Sequence, residues 1–371
     1  MRRALAFVVL TFATLGWVIV GATGAGAHAL LRDSTPKDGA ILDAPPTEVV
    51  IEFTEPPDLG LSSITVVDAN GQAVETGDLE RTGGKGNRVR VALPQIGEGG
   101  YTVTWRVLSR VDGHVTGGAF AFGVGVEPAA VPTGGSTGTT TVEVPRPSVL
   151  SVIGRWGFYW GLALLLGGAV AWLFVFRTPV PRGGTLALVA WGLAAAGLVG
   201  MFLAERSSVG VSAGALLGSE RGKLLIARAI VLAAAGLGVA FILVRRSRRA
   251  AVVLAVTTAA AMAIHAYAGH AGASESWRWL KVGVQWVHIV AVAIWVGGLV
   301  WLLLGTWGRE SEERAQAVGR FSFLAGFALA GVASTGAVRA IQEVGWSPGR
   351  LFDTGFGLTV VAKSVLFGGL V

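Results

Sequence analysis

The sequence predicts a two-part protein, in which an all-β sandwich precedes an all-α bundle of membrane-spanning helices. Residues 1–27 have the pattern of a secretory signal peptide, residues 28–127 alternate between apolar and polar side chains, and residues 148–371 contain long apolar segments. A period of two is typical of strands, whereas an apolar segment of about 20 residues can cross a bilayer as a helix. The chain is 52% hydrophobic and only 14% charged, as membrane proteins are.

The predicted signal peptide determines where the mature chain begins. Arg2 and Arg3 supply the basic start, and an apolar stretch and a small-residue tail follow, up to Ala27. Cleavage after Ala27 makes His28 the amino terminus. Its free α-amine and its imidazole are then two adjacent nitrogen donors, which can chelate one metal ion.

Residues 28–127 are expected to form the β domain. Runs of β-branched and aromatic residues alternate with turn sequences rich in Gly, Pro, Asn and Asp, as in a sandwich or barrel. The predicted strands are 48–53, 63–67, 88–93, 101–107 and 118–124. Residues 128–147, rich in Pro, Thr, Gly and Ser, are predicted to form a flexible linker that alone joins the two parts.

Asp112 and His114 form the second feature with metal chemistry. Their spacing of two places both side chains on one face of an extended strand. Because the chain contains no Cys, thiolate ligands and disulfides are excluded. Copper(II) favours tetragonal sets of nitrogen and oxygen ligands, which His28, Asp112 and His114 can supply. Either histidine alone is better explained as an ordinary terminal or surface residue, whereas the two histidines together with Asp112 favour a metal site.

Residues 148–371 are predicted to form the membrane domain. The candidate spans are 149–176, 185–204, 223–244, 250–271, 279–304, 318–339 and 356–371. The last span is still apolar at Val371, which favours a truncated chain. The signal peptide places the β domain outside, and the loop Arg245–Arg249 then lies in the cytoplasm, as the positive-inside rule requires. We therefore expect a multi-pass protein of the inner or plasma membrane with an extracytoplasmic β domain.

Three further histidines, His265, His270 and His288, lie in the outer half of the predicted spans. Ionisable residues inside a span usually face the bundle interior. At 100° per residue, Met262 lies between His265 and His270 around the helix, so the three side chains can converge. A thioether beside imidazoles suits copper(I). A hydrogen bond to a neighbouring helix and a proton relay are the alternative interpretations.

The distribution of charge along the chain indicates which kinds of partner the protein can bind. Residues 28–145 are net acidic and attract cations, whereas residues 146–371 are strongly basic and suit anionic lipid head groups. The basic residues lie at helix ends rather than among aromatic side chains, so we expect no nucleic-acid binding. The sequence has neither an ATP-binding loop nor a nucleophile constellation, so we expect neither an ATP-driven pump nor an enzyme.

The β domain resembles the CopC family of copper-resistance proteins. The matching features are His28, the turn Pro36–Ala40, the segment Ser109–His114 and the strand Gly117–Val124. The resemblance implies a small periplasmic β-barrel of cupredoxin-like shape. It also implies a copper(II) site formed by His28, Asp112 and His114. The methionine-rich copper(I) site of some members has no counterpart here.

The membrane part resembles CopD, which is commonly fused to CopC. The matching residues are His270–Gly272, His288, Trp295–Leu299, Arg320–Ser322, Gly357, Leu358 and Lys363. CopD-type proteins usually have eight spans, more than this chain supplies. The resemblance implies that copper passes across the membrane, with import as the direction.

The predicted function is therefore copper(II) capture outside the membrane, followed by transport inward. Soft ligands prefer copper(I), so a reduction step is expected, which leaves room for a periplasmic copper chaperone or a reductase as partner. Two alternatives stay open. His265 or His270, paired with His288, could ligate a haem in a b-type electron carrier. The chain could also be a tethered periplasmic copper buffer without transport.

Overall fold

The computed structural model describes residues 30–83, 86–111, 113, 115–128, 148–178, 180, 182–245, 247–269, 271, 277–344, 350–353 and 355–368. Several predicted features lie outside these ranges, namely the signal peptide 1–27, the linker residues 129–147, and His28, Asp112, His114 and His270. The chain divides into the unit His28–Gly331 and a second unit that includes Val332–Val371, and each is described by itself.

The β domain contains two sheets. Its strands are β1 (Leu31–Thr35), β2 (Ala40–Leu42), β3 (Glu48–Phe53), β4 (Ser63–Asp68), β5 (Ala73–Val74), β6 (Glu80–Arg81), β7 (Arg88–Ala92), β8 (Gly99–Leu108) and β9 (Val115–Val124). One sheet has the order β1-β3-β7-β6 and the other the order β2-β9-β8-β4-β5. Neighbours pair antiparallel, except that β2 runs parallel to β9.

The five predicted strands are confirmed as β3, β4, β7, β8 and β9. The four strands that the sequence pattern missed are β1, β2, β5 and β6, and each of them lies at the edge of a sheet. Edge strands are short and pair on one side only, so they show little of the apolar alternation on which strand prediction depends.

The core of the β domain lies between the two sheets. Alternate residues of β3, namely Val49, Ile51 and Phe53, are fully buried. Trp105 of β8 meets Phe53 edge to face, with ring centroids 5.2 Å apart. Apolar side chains from both sheets therefore interdigitate, which confirms the predicted sandwich.

The second part of the chain is helical. Its helices are α1 (Val149–Val175), α2 (Gly183–Val209), α3 (Ala213–Gly218), α4 (Glu220–Arg245), α5 (Arg248–Tyr267), α6 (Arg278–Thr306), α7 (Ser311–Val344), α8 (Arg350–Asp353) and α9 (Gly355–Gly368). Among the described residues, α1, α2, α4, α5, α6 and α7 are long and apolar enough to cross a membrane, which confirms the first six predicted spans. The seventh predicted span corresponds to α9, whose 14 described residues are fewer than a membrane crossing requires.

Small residues allow α1 and α6 to approach each other closely. A Cβ atom at Gly167 would lie 2.3 Å from the carbonyl carbon of Gly297, and one at Gly168 would lie 2.4 Å from the ring of Trp301. Both helices contain a π-helical turn, at Ala171–Val175 and at Ala293–Gly297. The glycines of this contact therefore serve close helix packing, as small residues do in membrane bundles.

Candidate functional site

The predicted ligands Asp112 and His114 lie in the sequence between β8 and β9, and the structure describes the residues beside them, 109–111 and 113. The Ser109 hydroxyl donates a hydrogen bond of 2.6 Å to Oε2 of Glu55, and both residues are buried. The same hydroxyl accepts a 3.0 Å hydrogen bond from the backbone N–H of Val111. The loop is therefore anchored to the segment that follows β3.

Gly113, which separates the two predicted ligands in sequence, adopts a left-handed backbone with φ of 75°. Its N–H donates to the carbonyl of Ser109 at 3.1 Å. A Cβ atom at this position would lie 2.4 Å from Nη2 of Arg221, so the Arg221 guanidinium lies directly against the loop backbone. Both the backbone conformation and the close contact favour glycine here.

Arg221, the second residue of α4, joins the bundle to the β domain. Its Nη2 donates to Oε1 of Glu205 in α2 at 2.7 Å, and its Nη1 donates to the Arg110 carbonyl at 3.2 Å. Its backbone N–H donates to Oδ2 of Asp58 at 3.0 Å. The side chains of Arg221 and Glu205 are 9% and 10% exposed. The further hydrogen bonds of Arg221 offset part of the cost of this burial, while Oε2 of Glu205 and Nε of Arg221 have no hydrogen-bond partner among the described residues.

A second set of ion pairs lies beside the first. Glu220 accepts two hydrogen bonds from Arg81, at 2.9 and 3.1 Å, and one from Arg110, at 3.0 Å. Arg81 also donates to the carbonyl of Pro57 at 2.8 Å. A glutamate of the bundle is thus held by two arginines of the β domain.

An apolar contact completes this junction between the β domain and the bundle. Leu108 of β8 and Leu216 of α3 are both fully buried, and they pack with Leu61 and Val209. The expectation that the linker alone joins the two parts is therefore wrong, because the β domain rests directly on the ends of α2, α3 and α4. Sequence spacing could not show this contact, since residues such as Arg81 and Glu220 are 139 positions apart.

Of the predicted membrane ligands, the structure describes His265, His288 and Met262. The Tyr159 hydroxyl lies 3.2 and 3.3 Å from the two ring nitrogens of His265, and the ring centroids are 4.8 Å apart. Met262 is 2% exposed and belongs to the bundle core with Phe158. His288 is half-buried in α6. A metal on His265 would therefore have to replace its contact with Tyr159.

The surroundings of His265 are strongly basic. Its imidazole lies near enough to Arg228, Arg155 and Arg221 for their charges to act on it. The described residues contain no group of three or more His, Asp or Glu side chains that could hold a metal. Four of the predicted ligands, His28, Asp112, His114 and His270, lie outside the described residues, so both metal sites stay predictions.

Comparison with known proteins identifies the β domain. The family model of the CopC domain matches residues 31–125. The protein YobA of Escherichia coli strain K12 is 31% identical over 99 residues, which cover 26% of this chain and 79% of YobA. The chain belongs to the CopC family. The resemblance drawn from the sequence is thereby confirmed for the CopC domain.

A longer relative includes the membrane part. The copper transport protein CutJ of Bacillus subtilis strain 168 is 25% identical over 367 residues, which cover 92% of this chain and 66% of CutJ. The chain thus spans just under two thirds of the length of this relative. Similarity to it continues beyond the CopC domain into the helical bundle.

Two solved structures are similar to the CopC domain. CopC from Methylosinus trichosporium OB3b is 28% identical to this chain. The match covers 29% of this chain and 100% of the CopC chain, with a TM-score of 0.25. PcoC, a methionine-rich copper resistance protein from Escherichia coli, is 22% identical to this chain. The match covers 26% of this chain and 99% of the PcoC chain, with a TM-score of 0.24.

The residues that sequence reasoning missed are those of the junction. Glu205, Glu220 and Arg221 stand at the ends of predicted spans, where charged residues are common. The one available signal is that an acid and an arginine are adjacent at both span ends, in Glu205-Arg206 and Glu220-Arg221. Only the structure shows that Glu205 and Arg221 pair with each other across two helices and lie under the CopC domain.

Proposed function

We propose that this chain binds copper at its CopC domain and carries copper across the membrane, with import as the direction. One observation supports this most strongly. The loop between β8 and β9, where we place the copper ligands, contacts Arg221 at the end of the bundle through Gly113. Because the proposed capture site contacts the end of the bundle, we favour direct transfer of copper from the CopC domain to the membrane path.

The proposed copper(II) ligands are His28, Asp112 and His114. A terminal amine, two imidazoles and a carboxylate match the nitrogen and oxygen preference of copper(II). This assignment depends on cleavage of residues 1–27, because an uncleaved chain would turn the amine of His28 into an amide. The Ser109–Glu55 hydrogen bond and the left-handed backbone of Gly113 support it, because they fix described residues close to Asp112 and His114 in sequence.

The remaining architecture follows from the same proposal. We assign residues 28–127 to the extracytoplasmic CopC domain, 128–147 to the linker and 148–371 to the membrane domain. The positive-inside rule then places the Arg245–Arg249 loop in the cytoplasm of a cell whose inner or plasma membrane holds the bundle.

His265, His270 and His288 are the proposed copper path in the bundle. Imidazoles accept copper in either oxidation state, and copper(I) is the ion favoured where a thioether such as Met262 is near. Conversion of copper(II) to copper(I) takes one electron per ion, which we assign to an external reductase. A periplasmic copper chaperone is the alternative partner, and it would deliver the ion rather than the electron. The apolar surroundings of Met262 suit packing, and its role as a ligand stays a prediction.

The two alternative functions fit the geometry less well. A haem would need His265 or His270 as axial ligand, and the ring nitrogens of His265 already contact the Tyr159 hydroxyl. A copper buffer without transport would have no use for the buried junction between the CopC domain and the bundle. Direct transfer of copper from the CopC domain to the bundle uses that junction.

Copper accumulation in cells tests the proposed function. We expect His114→Ala and His288→Ala each to abolish accumulation per inserted molecule, while only His114→Ala weakens copper(II) binding. The matched control is Asp43→Asn, which removes an exposed acid of the CopC domain and should change neither quantity. Metal content is measured by mass spectrometry and divided by membrane-inserted protein. Full accumulation in both histidine variants would disprove transport through these residues.

A further inference from the structure

The buried face of α4 carries two arginines. Arg221, Leu225, Arg228 and Leu232 are all buried, and their spacing of three or four residues places them on one side of the helix. Arg228 lies seven residues after Arg221, which is about 10 Å further along the helix axis. The second arginine therefore lies well inside the bundle.

Arg221 has a counter-charge, whereas Arg228 is 6% exposed and has none within the described part of the chain. Its Nε lacks a hydrogen-bond partner among those residues. The charged groups that act on it are Glu205, Arg155 and Arg221, of which two are positive. Glu205 already pairs with Arg221 at 2.7 Å. The region around Arg228 therefore carries an excess of positive charge.

Excess positive charge inside a membrane-spanning bundle requires a physical explanation. A buried cation without a partner is costly, and buried charges in proteins are normally paired. A lysine or histidine can relieve the cost by losing its proton, but an arginine guanidinium remains protonated. A bound negative species would balance the charge of Arg228, which Glu205, already paired with Arg221, offsets only in part.

Tyr159 and His265, which can donate hydrogen bonds to such a species, lie in the same part of the bundle as Arg228. Tyr159 packs against the apolar cluster that contains Leu225 and Leu232, which flank Arg228 on α4, and Nε2 of His265 lies 3.2 Å from the Tyr159 hydroxyl. The phenol and a neutral imidazole carry one donor hydrogen each, so when the imidazole N–H donates to the phenol oxygen, the phenol O–H and the five N–H donors of the guanidinium stay available to a ligand. The surrounding side chains, Phe158 among them, are bulky and apolar, so we expect only a small ligand of low charge to bind there.

We propose that Arg228, Tyr159 and His265 form a binding site for a small monovalent anion of the halide class. The site lies within the bundle and is separate from the copper(II) ligands of the CopC domain. It shares His265 with the proposed copper path, but its test uses no copper and does not depend on transport. An anion there would offset the repulsion that three arginines exert on any cation near His265. Phospholipid head groups are excluded by the burial of Arg228.

Thermal unfolding of the purified full-length chain in detergent tests the site, with bromide as the probe and gluconate at equal ionic strength as the reference. We expect bromide to raise the unfolding midpoint of the wild type with a saturable concentration dependence. Arg228→Gln should show no bromide response, and its midpoint in gluconate should equal or exceed that of the wild type, because the uncompensated charge is gone. The matched control Lys223→Gln, an exposed position on the same helix, should respond like the wild type.

A second variant keeps the test decisive if Arg228→Gln does not fold. Tyr159→Phe retains the ring and removes one donor, so the Kd for bromide should rise about three- to tenfold. The anomalous difference map of a protein crystal soaked in bromide should show a peak beside Arg228. In the unfolding experiment, the proposal is overturned if Arg228→Gln responds to bromide as the wild type does, if it is destabilised equally in bromide and gluconate, or if stabilisation by bromide requires added phosphatidylglycerol. In the crystal, it is overturned if the bromide peaks lie only at places other than Arg228.

Discussion

Gly113 shows at the scale of one residue how a backbone position serves a site. Its φ of 75° is costly for other residues, and the space for a side chain is filled by Arg221. Gly71 has nearly the same φ, 77°, but faces open space, since nothing lies within 4 Å of its Cβ position. A comparison of substitutions at these two glycines therefore distinguishes the cost of backbone strain from the cost of a lost contact with Arg221.

We predict that Gly113→Ala and Gly71→Ala differ in their effect on function. Left-handed backbone at an L-residue costs about 1 to 2 kcal/mol, so each variant should lose about that much stability. Only Gly113→Ala should also weaken copper(II) affinity and copper accumulation, because it displaces Arg221 from the loop. Competition titrations with a chelator provide the comparison. Equal copper affinity in the two variants would refute a role for the Arg221 contact.

The proposed copper(II) ligands lead to a pH dependence. The α-amine and the imidazole have reference pKa values of about 8 and about 6.5, and both must be unprotonated to bind metal. Protons therefore compete with copper below these values, and affinity should fall steadily from about pH 8 to about pH 5. The loss should approach tenfold per pH unit for each group that must release a proton.

A chain with one extra residue ahead of His28 is the control for this pH experiment. It keeps the imidazole but loses the amine as a ligand. We expect weaker binding and a shallower pH dependence above about pH 6.5, the range in which only the amine titrates. If the extended chain binds copper with unchanged affinity, the amino terminus is not a ligand.

At the scale of helices and strands, the Glu205–Arg221 pair links α2 to α4 beneath the CopC domain. Burial makes this pair different from Glu220 with its arginines, because Glu220 is 39% exposed in its side chain, against 10% for Glu205. Exposed pairs contribute little, whereas removing one partner of a buried pair leaves an uncompensated charge. The two glutamates therefore offer a direct comparison within one junction.

We predict that Glu205→Gln lowers the free energy of unfolding by about 3 to 5 kcal/mol, whereas Glu220→Gln lowers it by no more than about 1 kcal/mol. The double variant Glu205→Leu with Arg221→Met should recover most of the loss, because it removes both charges together. Reversible unfolding in mixed detergent micelles measures all three variants. An additive loss in the double variant would show that the two residues are not coupled.

At the scale of the whole molecule, the junction between the CopC domain and the bundle predicts how the parts behave without their covalent connection. A protease site introduced into residues 128–147 should allow cleavage while the CopC domain still co-purifies with the bundle. The ion pairs of Glu220 and the buried Leu108–Leu216 contact provide the affinity. Glu220→Arg should release the cleaved domain, since it places a third positive charge against Arg81 and Arg110.

Two controls accompany this cleavage experiment. Glu310→Arg reverses an exposed acid before α7, away from the junction, and should leave the cleaved domain bound. Adding Arg81→Glu to Glu220→Arg should restore part of the association by exchanging the two charges. Release of the CopC domain from the unmodified bundle at low ionic strength would contradict the observed junction.

Much of this architecture was predictable from local sequence patterns. The six spans α1, α2 and α4 to α7 were predictable from the length of single apolar segments, and the five inner strands from the apolar alternation within each strand. The resemblance to the CopC family was likewise drawn from short motifs such as Ser109–His114. The edge strands escaped prediction because they are short and bury few side chains.

The tertiary structure decided how these elements meet. The contact of Arg221 with Gly113, its pair with Glu205, and the excess charge at Arg228 join residues that are distant in sequence and individually unremarkable in type. Apolar periodicity determines which face of a helix or strand is buried, because water exclusion acts on each element by itself. Which charge lies opposite which depends on how several elements pack together, and only the folded chain defines that.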